Sequence, residues 1–152
     1  MKNSIVNEEC IKMIKKRNNA CIPTRASEGS AGFDLYASIE TQLVVKSGCS
    51  ELLPSGVALA IPKNFVGLLF ARSGLGIRHC ISLSNAVGVI DSDYRGEIFV
   101  CLKNFGAKNY VVKPNDRIAQ LVIIPFCSFS IKEVSFLNDT KRSTGGFGST
   151  GR

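Results

Sequence analysis

Short apolar segments, separated by glycine, proline, asparagine and aspartate, recur along the 152 residues of the chain. Segments of this length between turn-forming residues are typical of β-strands. In 127–132 the side chains of Cys127, Phe129 and Ile131 alternate with polar ones, which is the period of a strand with one face in water. The pattern predicts strands within 43–46, 57–61, 65–70, 86–90, 97–103, 109–113, 117–124 and 127–132.

Helical periodicity is weak by comparison. Only 74–80 and the ambiguous segment 5–16 have a pattern that fits a few helical turns. The length suits one domain with a sizeable core, and the sequence has no repeat of fixed period. We therefore predict a single all-β domain over residues 1–152, a closed barrel or jelly roll with at most one short helix.

Composition and cysteine spacing indicate the compartment. Hydrophobic residues make up 45% and charged residues 20%, an ordinary globular balance. The longest apolar segment, 121–126, is too short for a membrane span, and residues 1–19 lack an apolar block of signal-peptide length. The six cysteines form no CxxC pair, which disfavours a zinc cage or a redox dithiol. We expect reduced thiols and a protein of the cytoplasm or nucleus, with no membrane partner.

The net charge of +7 and the pI near 9.3 suggest an anionic partner, either nucleic acid or a phosphorylated small molecule. Charge alone does not choose between them. The densest basic run, 12–17, lacks the interleaved aromatic residues of a single-strand binder, so we interpret it as a solvated face and expect no obligatory nucleic-acid partner. The one histidine, His79, has no second histidine with which to share a metal and is predicted to be structural or at the surface.

Residues 87–100 place an acidic, turn-forming centre between two apolar segments. The pattern predicts a β-hairpin with a wide turn that holds Asp91 and Asp93. Turn formation alone explains Ser92 and Gly96. It explains Tyr94 less well, because an aromatic ring among carboxylates is suited to support a sugar or a base.

Residues 70–76 place Arg72, Ser73 and Gly74 directly after an apolar segment. A planar guanidinium, a hydroxyl and a glycine that lets backbone N–H groups approach closely suit a phosphate. Strand-to-turn junctions often carry Ser and Gly, so this string is weak evidence by itself.

The glycine-rich end of the chain, 143–152, has the composition of a disordered tail. Phe147 and the preceding Lys141–Arg142 pair favour a binding role instead, since an aromatic ring has little reason to lie in a solvated linker. The string 146–151 formally matches G-x-G-x-x-G, but only Arg152 follows it, so it opens no helix of a βαβ unit and is rejected as a dinucleotide fingerprint. The P-loop pattern G-x-x-x-x-G-K-[ST] is absent from the sequence.

Five segments together resemble the motifs of the homotrimeric dUTP pyrophosphatases, the dUTPases. In chain order they are AGFDLYA at 31–37, ARSGLG at 71–76, NAVGVIDSDYRGE at 85–97, PNDRIAQL at 114–121 and RSTGGFGSTG at 142–151. Five motifs in order are far more specific than any one of them. The resemblance implies a distorted jelly-roll β-barrel, a homotrimer with active sites shared between subunits, and a mobile C-terminal arm over 138–152.

The resemblance also implies a reaction, the hydrolysis of dUTP to dUMP and pyrophosphate, which limits uracil in DNA and supplies dUMP for dTMP synthesis. It assigns Asp91 as the general base that activates water for attack on the α-phosphorus, and Gln120 as a residue that helps to position this water. Asp34 is expected to act through water on a Mg²⁺ ion that bridges the phosphates. A structural and a functional role are equally compatible with Asp116 and Arg117.

The remaining residues implied by the resemblance contact the nucleotide. The residues expected at the phosphates are Arg72, Ser73, Gly74, Arg142, Ser149 and Thr150. The residues expected at the uracil edge are Asn85, Gly88, Val89, Ile90 and Phe99. Tyr94 is expected to pack on the deoxyribose, and Phe147 with the adjacent Gly148 on the face of the uracil.

Other functions stay open. A dCTP deaminase is similar in fold and in phosphate handling, but Asp91, Tyr94 and the full glycine-rich arm favour hydrolysis between phosphates. A non-catalytic nucleotide-binding module and a nucleic-acid binder are further alternatives. The chain departs from the family pattern at Ala71, where Pro is common, at 143–144 in the arm, and at Asn115, where Gly is common and where Asn tolerates a positive φ.

Overall fold

A computed structural model describes residues 10–146, which form eleven β-strands and one short α-helix. The elements in chain order are β1 (Lys12–Lys15), β2 (Gly32–Tyr36), β3 (Leu43–Val45), β4 (Ser50–Pro54), β5 (Val57–Ala60), β6 (Phe65–Phe70), α1 (Ser73–His79), β7 (Ile81–Leu83), β8 (Gly88–Ile90), β9 (Phe99–Asn104), β10 (Tyr110–Val112) and β11 (Arg117–Pro125).

The strands of the described range pair antiparallel throughout. The largest sheet has four strands in the order β2-β11-β6-β8, and a second has three in the order β4-β9-β7. Two further pairs, β1 with β5 and β3 with β10, extend the wall of the domain. Neighbours in the sheets are often distant in sequence, so the core is assembled from long-range contacts.

In the four-stranded sheet the strand register aligns three residues in one row across β2, β11 and β6. Asp34 on β2, Gln120 on β11 and Phe70 on β6 lie directly opposite one another, so their side chains share one face. The next row contains Leu121 and Leu69, which are 1% and 3% exposed and therefore mark the core face. The Asp34–Gln120 row lies on the other face.

The core consists of aliphatic side chains from all of the larger sheets. Burial of one such side chain contributes about 1.5–3 kcal/mol, so these residues carry most of the stabilisation. The largest fully buried apolar side chains are Leu35, Leu53, Ile81, Ile98, Leu102, Ile118 and Leu121.

The single helix, α1, follows β6 after Ala71 and Arg72. Buried Leu75 anchors it to the core. It ends at Cys80, whose φ of 55° is left-handed and whose backbone N–H donates to the carbonyl oxygen of Gly76 at 3.0 Å. This is the helix that the sequence predicted over 74–80.

Most of the predicted strands are confirmed. Strands occupy part or all of the predicted ranges from 43–46 to 117–124. The ambiguous segment 5–16 contains β1 in its described part rather than helix. Three strands were missed, namely β2, β4 and β7.

The predicted hairpin over 87–100 is wrong. β8 pairs with β6, whereas β9 pairs with β4 and β7, so the two strands belong to different sheets. The loop between them, 91–98, is longer than the two to five residues of an ordinary hairpin, and other strands satisfy both backbones. Asp91 therefore lies on a crossover between sheets.

The predicted strand over 127–132 is also wrong. The residues after β11 form no strand within the described range, and Phe129 and Ile131 are exposed. A strand requires a partner for its backbone N–H and C=O groups, and the described part of this single chain offers none at that position.

Other expectations concern the surface. The basic run, 12–17, is exposed as predicted, and most of the side chains of β1 within it are exposed. His79 is exposed and its ring lies 5.0 Å from that of Tyr110. All six cysteines fall within the described residues and are free thiols. Asn115 has a φ of 65°, as its turn position predicted. No helix within 10–146 is long and apolar enough to cross a membrane.

Candidate active site

A buried carboxylate lies at the centre of the candidate site. Asp34, on β2, is only 7% exposed. Its Oδ1 accepts a hydrogen bond from Arg72 Nε at 2.8 Å, and its Oδ2 accepts one from Arg117 Nη1 at 3.2 Å. Two guanidinium groups and one carboxylate leave a net positive charge at this cluster, which suits an anion.

The two arginines remain accessible in spite of these bonds. The side chain of Arg72 is 25% exposed and that of Arg117 is 47% exposed. A guanidinium has five N–H donors, so each arginine keeps donors for a ligand after its bond to Asp34. Arg72 precedes the first residues of α1, Ser73 and Gly74, both of which are exposed.

Gln120 lies beside Asp34 on the neighbouring strand. Its Nε2 donates to the carbonyl oxygen of Ala71 at 2.9 Å, which fixes the orientation of the amide. Its Oε1 faces Gly32, where a β-carbon would lie 3.3 Å from that oxygen. Gly32 thus leaves space in front of the one acceptor of this side chain.

These residues line a cleft of about 280 Å³. One wall of the cleft is the segment before β2, where the guanidinium of Arg25 lies 4.2 Å above the ring of Phe33. Ser27 and Ser30 bond to each other in the same turn, with a distance of 2.9 Å between their hydroxyl oxygens. The residues around the cleft are Ala26, Ser30, Ala31, Gly32, Asp34, Arg72, Ser73, Gln120 and Val122.

Asp91 lies elsewhere, on the exposed crossover loop 91–98. Its carbonyl oxygen accepts from the backbone N–H of Tyr94 at 3.2 Å, which closes a turn. Tyr94 is 43% exposed and its hydroxyl donates to the carbonyl oxygen of Glu97 at 2.9 Å. A β-carbon at Gly96 would lie 2.4 Å from Tyr94 Cζ, so glycine is required for the ring to fold onto its own loop.

The residues predicted at the uracil edge form a surface on both sides of this loop. Gly88 is buried, and a β-carbon there would lie 3.0 Å from Leu69 Cδ1, so the position is tightly packed. Val89 is 61% exposed and Phe99 is 42% exposed. Asn85 is exposed in the turn before β8, and Ile90, at the end of β8, is partly buried.

Within one chain the cleft and Asp91 are far apart. Continuing the β6–β8 register past Ile90 places Asp91 at the level of Val66, four residues along β6 from Phe70. At 3.3 Å per residue this is about 13 Å along the strands. β8 is also three strand positions from β2, about 14 Å at 4.8 Å per position. The two groups are therefore on the order of 20 Å apart in a single chain.

The arm is only partly described. Residues 138–146 are largely exposed, and Arg142 Nε donates to the carbonyl oxygen of Gly145 at 2.9 Å. The structure does not bring Arg142 into the cleft of its own chain. Phe147, Gly148, Ser149 and Thr150 lie outside the described residues.

The structure gives contacts for three residues whose roles the sequence left open or did not address. Arg117, for which structure and function were equally compatible, contacts Asp34 in the cleft cluster. Asp116 instead caps its own turn, where Oδ2 accepts from the backbone N–H of Lys113 at 2.8 Å. The sequence identified Glu97 only as the last residue of the motif at 85–97. In the structure its Oε1 accepts a hydrogen bond from Arg17 Nε at 2.7 Å. This bond raises the pKa of Arg17. Because Arg17 and Glu97 are 80 residues apart, no local sequence pattern predicts this contact.

The side chains of the site limit how a metal ion could bind. Within the described residues no group of three or more His, Cys, Asp or Glu side chains could hold a metal ion. Both oxygens of Asp34 already accept from arginines, so direct coordination would have to break these bonds. A carboxylate oxygen keeps a second lone pair, and Mg²⁺ commonly retains its waters and binds through one or two carboxylates and substrate phosphates. The residues present therefore fit a contact through water.

The chain is similar to known proteins over most of its length. A family model described as dUTPase matches residues 18–151. The deoxyuridine 5'-triphosphate nucleotidohydrolase of Syntrophotalea carbinolica is 45% identical over 141 residues, which cover 93% of this chain and 96% of that protein. The protein of the same name from Rickettsia prowazekii is 44% identical over 140 residues, 91% of this chain and 95% of that protein.

A solved structure shows the same architecture. It is a mutant of the Staphylococcus bacteriophage 80alpha dUTPase with dUpNHpp, which superposes with a TM-score of 0.85 at 25% identity and covers 95% of this chain and 99% of that one. The predicted jelly-roll fold with a single short helix is thereby confirmed. The match of the family model over most of the chain, together with relatives at this identity, shows that the chain belongs to the dUTPase family.

Proposed function

We propose that the protein hydrolyses dUTP to dUMP and pyrophosphate, and thereby limits uracil in DNA and supplies dUMP for dTMP synthesis. The observation that carries the proposal is the cleft, in which Asp34, Arg72 and Gln120 from three separate motifs of the family meet. Its net positive charge suits a triphosphate, and relatives that share 44–45% of their residues are named for this reaction.

The phosphate chain is bound in the cleft. Arg72 has free N–H donors and is aimed by its bond to Asp34, and Ser73 lines the same cleft. Exposed Gly74 leaves the backbone open beside them, since no atom lies within 4 Å of a β-carbon built at that position. Charge-assisted bonds from a preorganised guanidinium stabilise the charge that develops on the phosphates.

Hydrolysis proceeds by attack of water on the α-phosphorus. Asp91 accepts a proton from the water, the new P–O bond forms, and the bond from the α-phosphorus to the bridging oxygen breaks with release of pyrophosphate. Gln120 Oε1, which faces the open space at Gly32, accepts from the same water and orients it. Exposure of Asp91 on its loop supports this role, because its carboxylate is open to a water molecule and to a substrate held by another subunit.

Selectivity for uracil comes from the crossover loop and the strands beside it. Tight packing at Gly88 against Leu69 makes this surface rigid, so the 5-methyl group of thymine is excluded sterically. Cytosine exchanges the donor and acceptor of the base edge and leaves backbone groups near Val89 unpaired, at about 1–3 kcal/mol each. The exposed face of Tyr94 packs on the deoxyribose, where a ribose 2′-hydroxyl would clash.

The active site is shared between subunits of a homotrimer. The separation of roughly 20 Å between the cleft and Asp91 within one chain supports this assembly, because one substrate cannot contact both groups of the same chain at once. A neighbouring copy has to supply Asp91 to the cleft, and cyclic symmetry repeats the arrangement three times. The exposed apolar side chains after β11, such as Phe129 and Phe136, also favour a partner chain.

Mg²⁺ would be the cofactor, and Asp34 would hold it through water. When bound, it neutralises phosphate charge and orients the chain of phosphates. The arm, 138–152, completes the site: Phe147 and Gly148 pack on the uracil, and Arg142, Ser149 and Thr150 bind the outer phosphates. The glycines of the arm allow this close approach.

A substrate panel tests the proposal. The protein is offered dUTP, dCTP, dTTP and UTP with Mg²⁺, and the release of pyrophosphate and of ammonia is measured. We expect pyrophosphate from dUTP alone. Ammonia from dCTP would establish a deaminase instead, and binding of dUTP without turnover would establish a non-catalytic module.

The Asp91→Asn variant tests the base within the same assay. Loss of a general base lowers turnover by about 10²–10⁴-fold, while binding of dUpNHpp is retained because the cleft is untouched. Asp93→Asn, two residues away in the same loop, is the matched control and is expected to retain turnover. Full activity of Asp91→Asn would remove Asp91 from the mechanism.

A further inference from the structure

The carboxylate of Glu97 joins three segments that are distant in sequence. Its Oε1 accepts from Arg17 Nε at 2.7 Å and from the backbone N–H of Gly56 at 2.9 Å. The side chain of Glu97 is 14% exposed and that of Arg17 is 43% exposed, so the carboxylate is mostly buried while the guanidinium faces water on one side. The charge of one carboxylate thus ties the segment after β1 and the turn before β5 to the end of the crossover loop.

The turn at Gly56 is itself fixed. Gly56 has a φ of 75°, and a β-carbon there would lie 2.5 Å from Ser38 Oγ, so the position is closely packed and requires glycine. Its carbonyl oxygen accepts from the backbone N–H of Lys16 at 2.7 Å. Glu97 is therefore attached to a rigid part of the domain.

The same residue extends its influence toward Asp91. The carbonyl oxygen of Glu97 accepts from the hydroxyl of Tyr94, and the N–H of Tyr94 donates to the carbonyl oxygen of Asp91. Next to Glu97, the N–H of Ile98 donates to the carbonyl oxygen of Val57 at 2.9 Å. Hydrogen bonds thus link the Gly56 turn to Glu97, Glu97 to Tyr94, and Tyr94 to the backbone of Asp91.

We propose that Glu97 is a positioning residue, which together with Arg17 holds the crossover loop so that Asp91 and Tyr94 meet the substrate in the neighbouring subunit's cleft. This inference rests on the proposed function of the site. Ile98, the last residue of the loop, is also held, by backbone bonds to Val57 and Ser55. Before Glu97, Arg95 bonds only to carbonyl oxygens of the loop itself, those of Ser92 and Tyr94. Small displacements of a reacting group are costly, by about 10²-fold for 1 Å.

The variants are Glu97→Ala, Arg17→Gln and Arg17→Lys. Glu97→Ala removes both bonds, and we expect turnover to fall on the order of 10- to 100-fold, with a smaller change in KM because the cleft around Asp34 is intact. Arg17→Gln should lose less turnover, since the bond from Gly56 remains. Arg17→Lys should restore most of it, because a cation is again available to the carboxylate.

The matched control is Glu40→Gln. Glu40 is a second carboxylate near Arg17 that acts on it through charge alone, without a hydrogen bond to the loop. This variant removes the same charge near the same arginine, and we expect its kcat and KM to equal those of the unaltered protein. A loss equal to that of Glu97→Ala would overturn the proposal, because general electrostatics would then explain both.

Amide hydrogen exchange reads the loop independently of catalysis. We expect faster exchange of the amides of 92–97 in Glu97→Ala and Arg17→Gln, faster exchange of the Gly56 amide in Glu97→Ala alone, and unchanged exchange in Glu40→Gln. Glu97→Ala with unchanged kcat per folded subunit and a lower Tm would show a structural role only and overturn the proposal. If the unaltered protein does not cleave dUTP, the proposed function fails, and unchanged exchange would separately refute the anchoring by Glu97.

Discussion

At the scale of single residues, the bonds of Asp34 change the expectation for this side chain. The motif resemblance assigns it to Mg²⁺ through water, and the structure adds ion pairs with Arg72 and Arg117. Asp34→Asn removes the charge that aims Arg72. We expect binding of dUpNHpp, measured by calorimetry, to weaken by roughly tenfold or more, which corresponds to one charge-assisted hydrogen bond of about 1.5–3 kcal/mol.

The measurement is made with and without Mg²⁺ in order to separate the two roles. Loss of affinity in both conditions indicates that Asp34 positions the arginine, and loss only with Mg²⁺ indicates that it acts through the metal alone and contradicts the prediction. Asp116→Asn is the control in the neighbouring motif, because Asp116 bonds to the backbone of its own turn and not to the cleft. Its affinity should be unchanged.

The sequence predicts the conformation or role of a residue when neighbouring residues determine it. The positive φ of Asn115 follows from turn chemistry, and the phosphate-like set at 72–74 follows from residue types next to a strand. Neither the Arg117–Asp34 pair nor the Arg17–Glu97 pair is local, because their partners are 83 and 80 residues apart. The fold brings these side chains together from segments that are distant in sequence.

At the scale of elements, continuous apolar strands were predictable and short or polar ones were not. β2 begins with Gly32 and carries Asp34, and β4 ends with Pro54, so both lack the usual composition of a strand and are held by β11 and β9. The hairpin and the strand over 127–132 failed for one reason. Period and composition show that a segment can be a strand, but not which strand it pairs with.

The C-terminal arm is the element whose removal is most informative. Within the described residues the strands end at Pro125 and the buried core at Leu121, so 143–146, the described part of the deleted segment, lies outside the core. We expect Tm within a few degrees of the full chain, as for other exposed segments, and severely reduced kcat/KM for dUTP. Phe147→Ala in the full chain should show part of the same loss. Near-normal turnover of the truncated protein would contradict the role of the arm.

At the scale of the whole molecule, a shared site is tested by mixing two inactive subunits. Arg72→Gln damages the cleft and Asp91→Asn damages the loop, and we expect each to be inactive alone. In a mixed trimer purified through two different tags, only one junction around the ring joins an intact cleft to an intact loop. Activity should therefore return to about a third of the unaltered level, as cyclic symmetry requires. Light scattering of the same sample checks that the assembly is a trimer.

The control pair is Arg72→Gln mixed with Gln120→Ala. Both residues belong to one cleft in one chain, so no arrangement of these subunits restores a complete site. We expect no recovery above the activity of the less impaired variant. Recovery in this control would mean that Arg72 and Gln120 act at one site from different subunits. No recovery in the Arg72→Gln and Asp91→Asn mixture would show that the loop and the cleft do not meet across subunits. The second result would contradict the inference that a separation of about 20 Å within one chain requires a neighbouring subunit to supply Asp91.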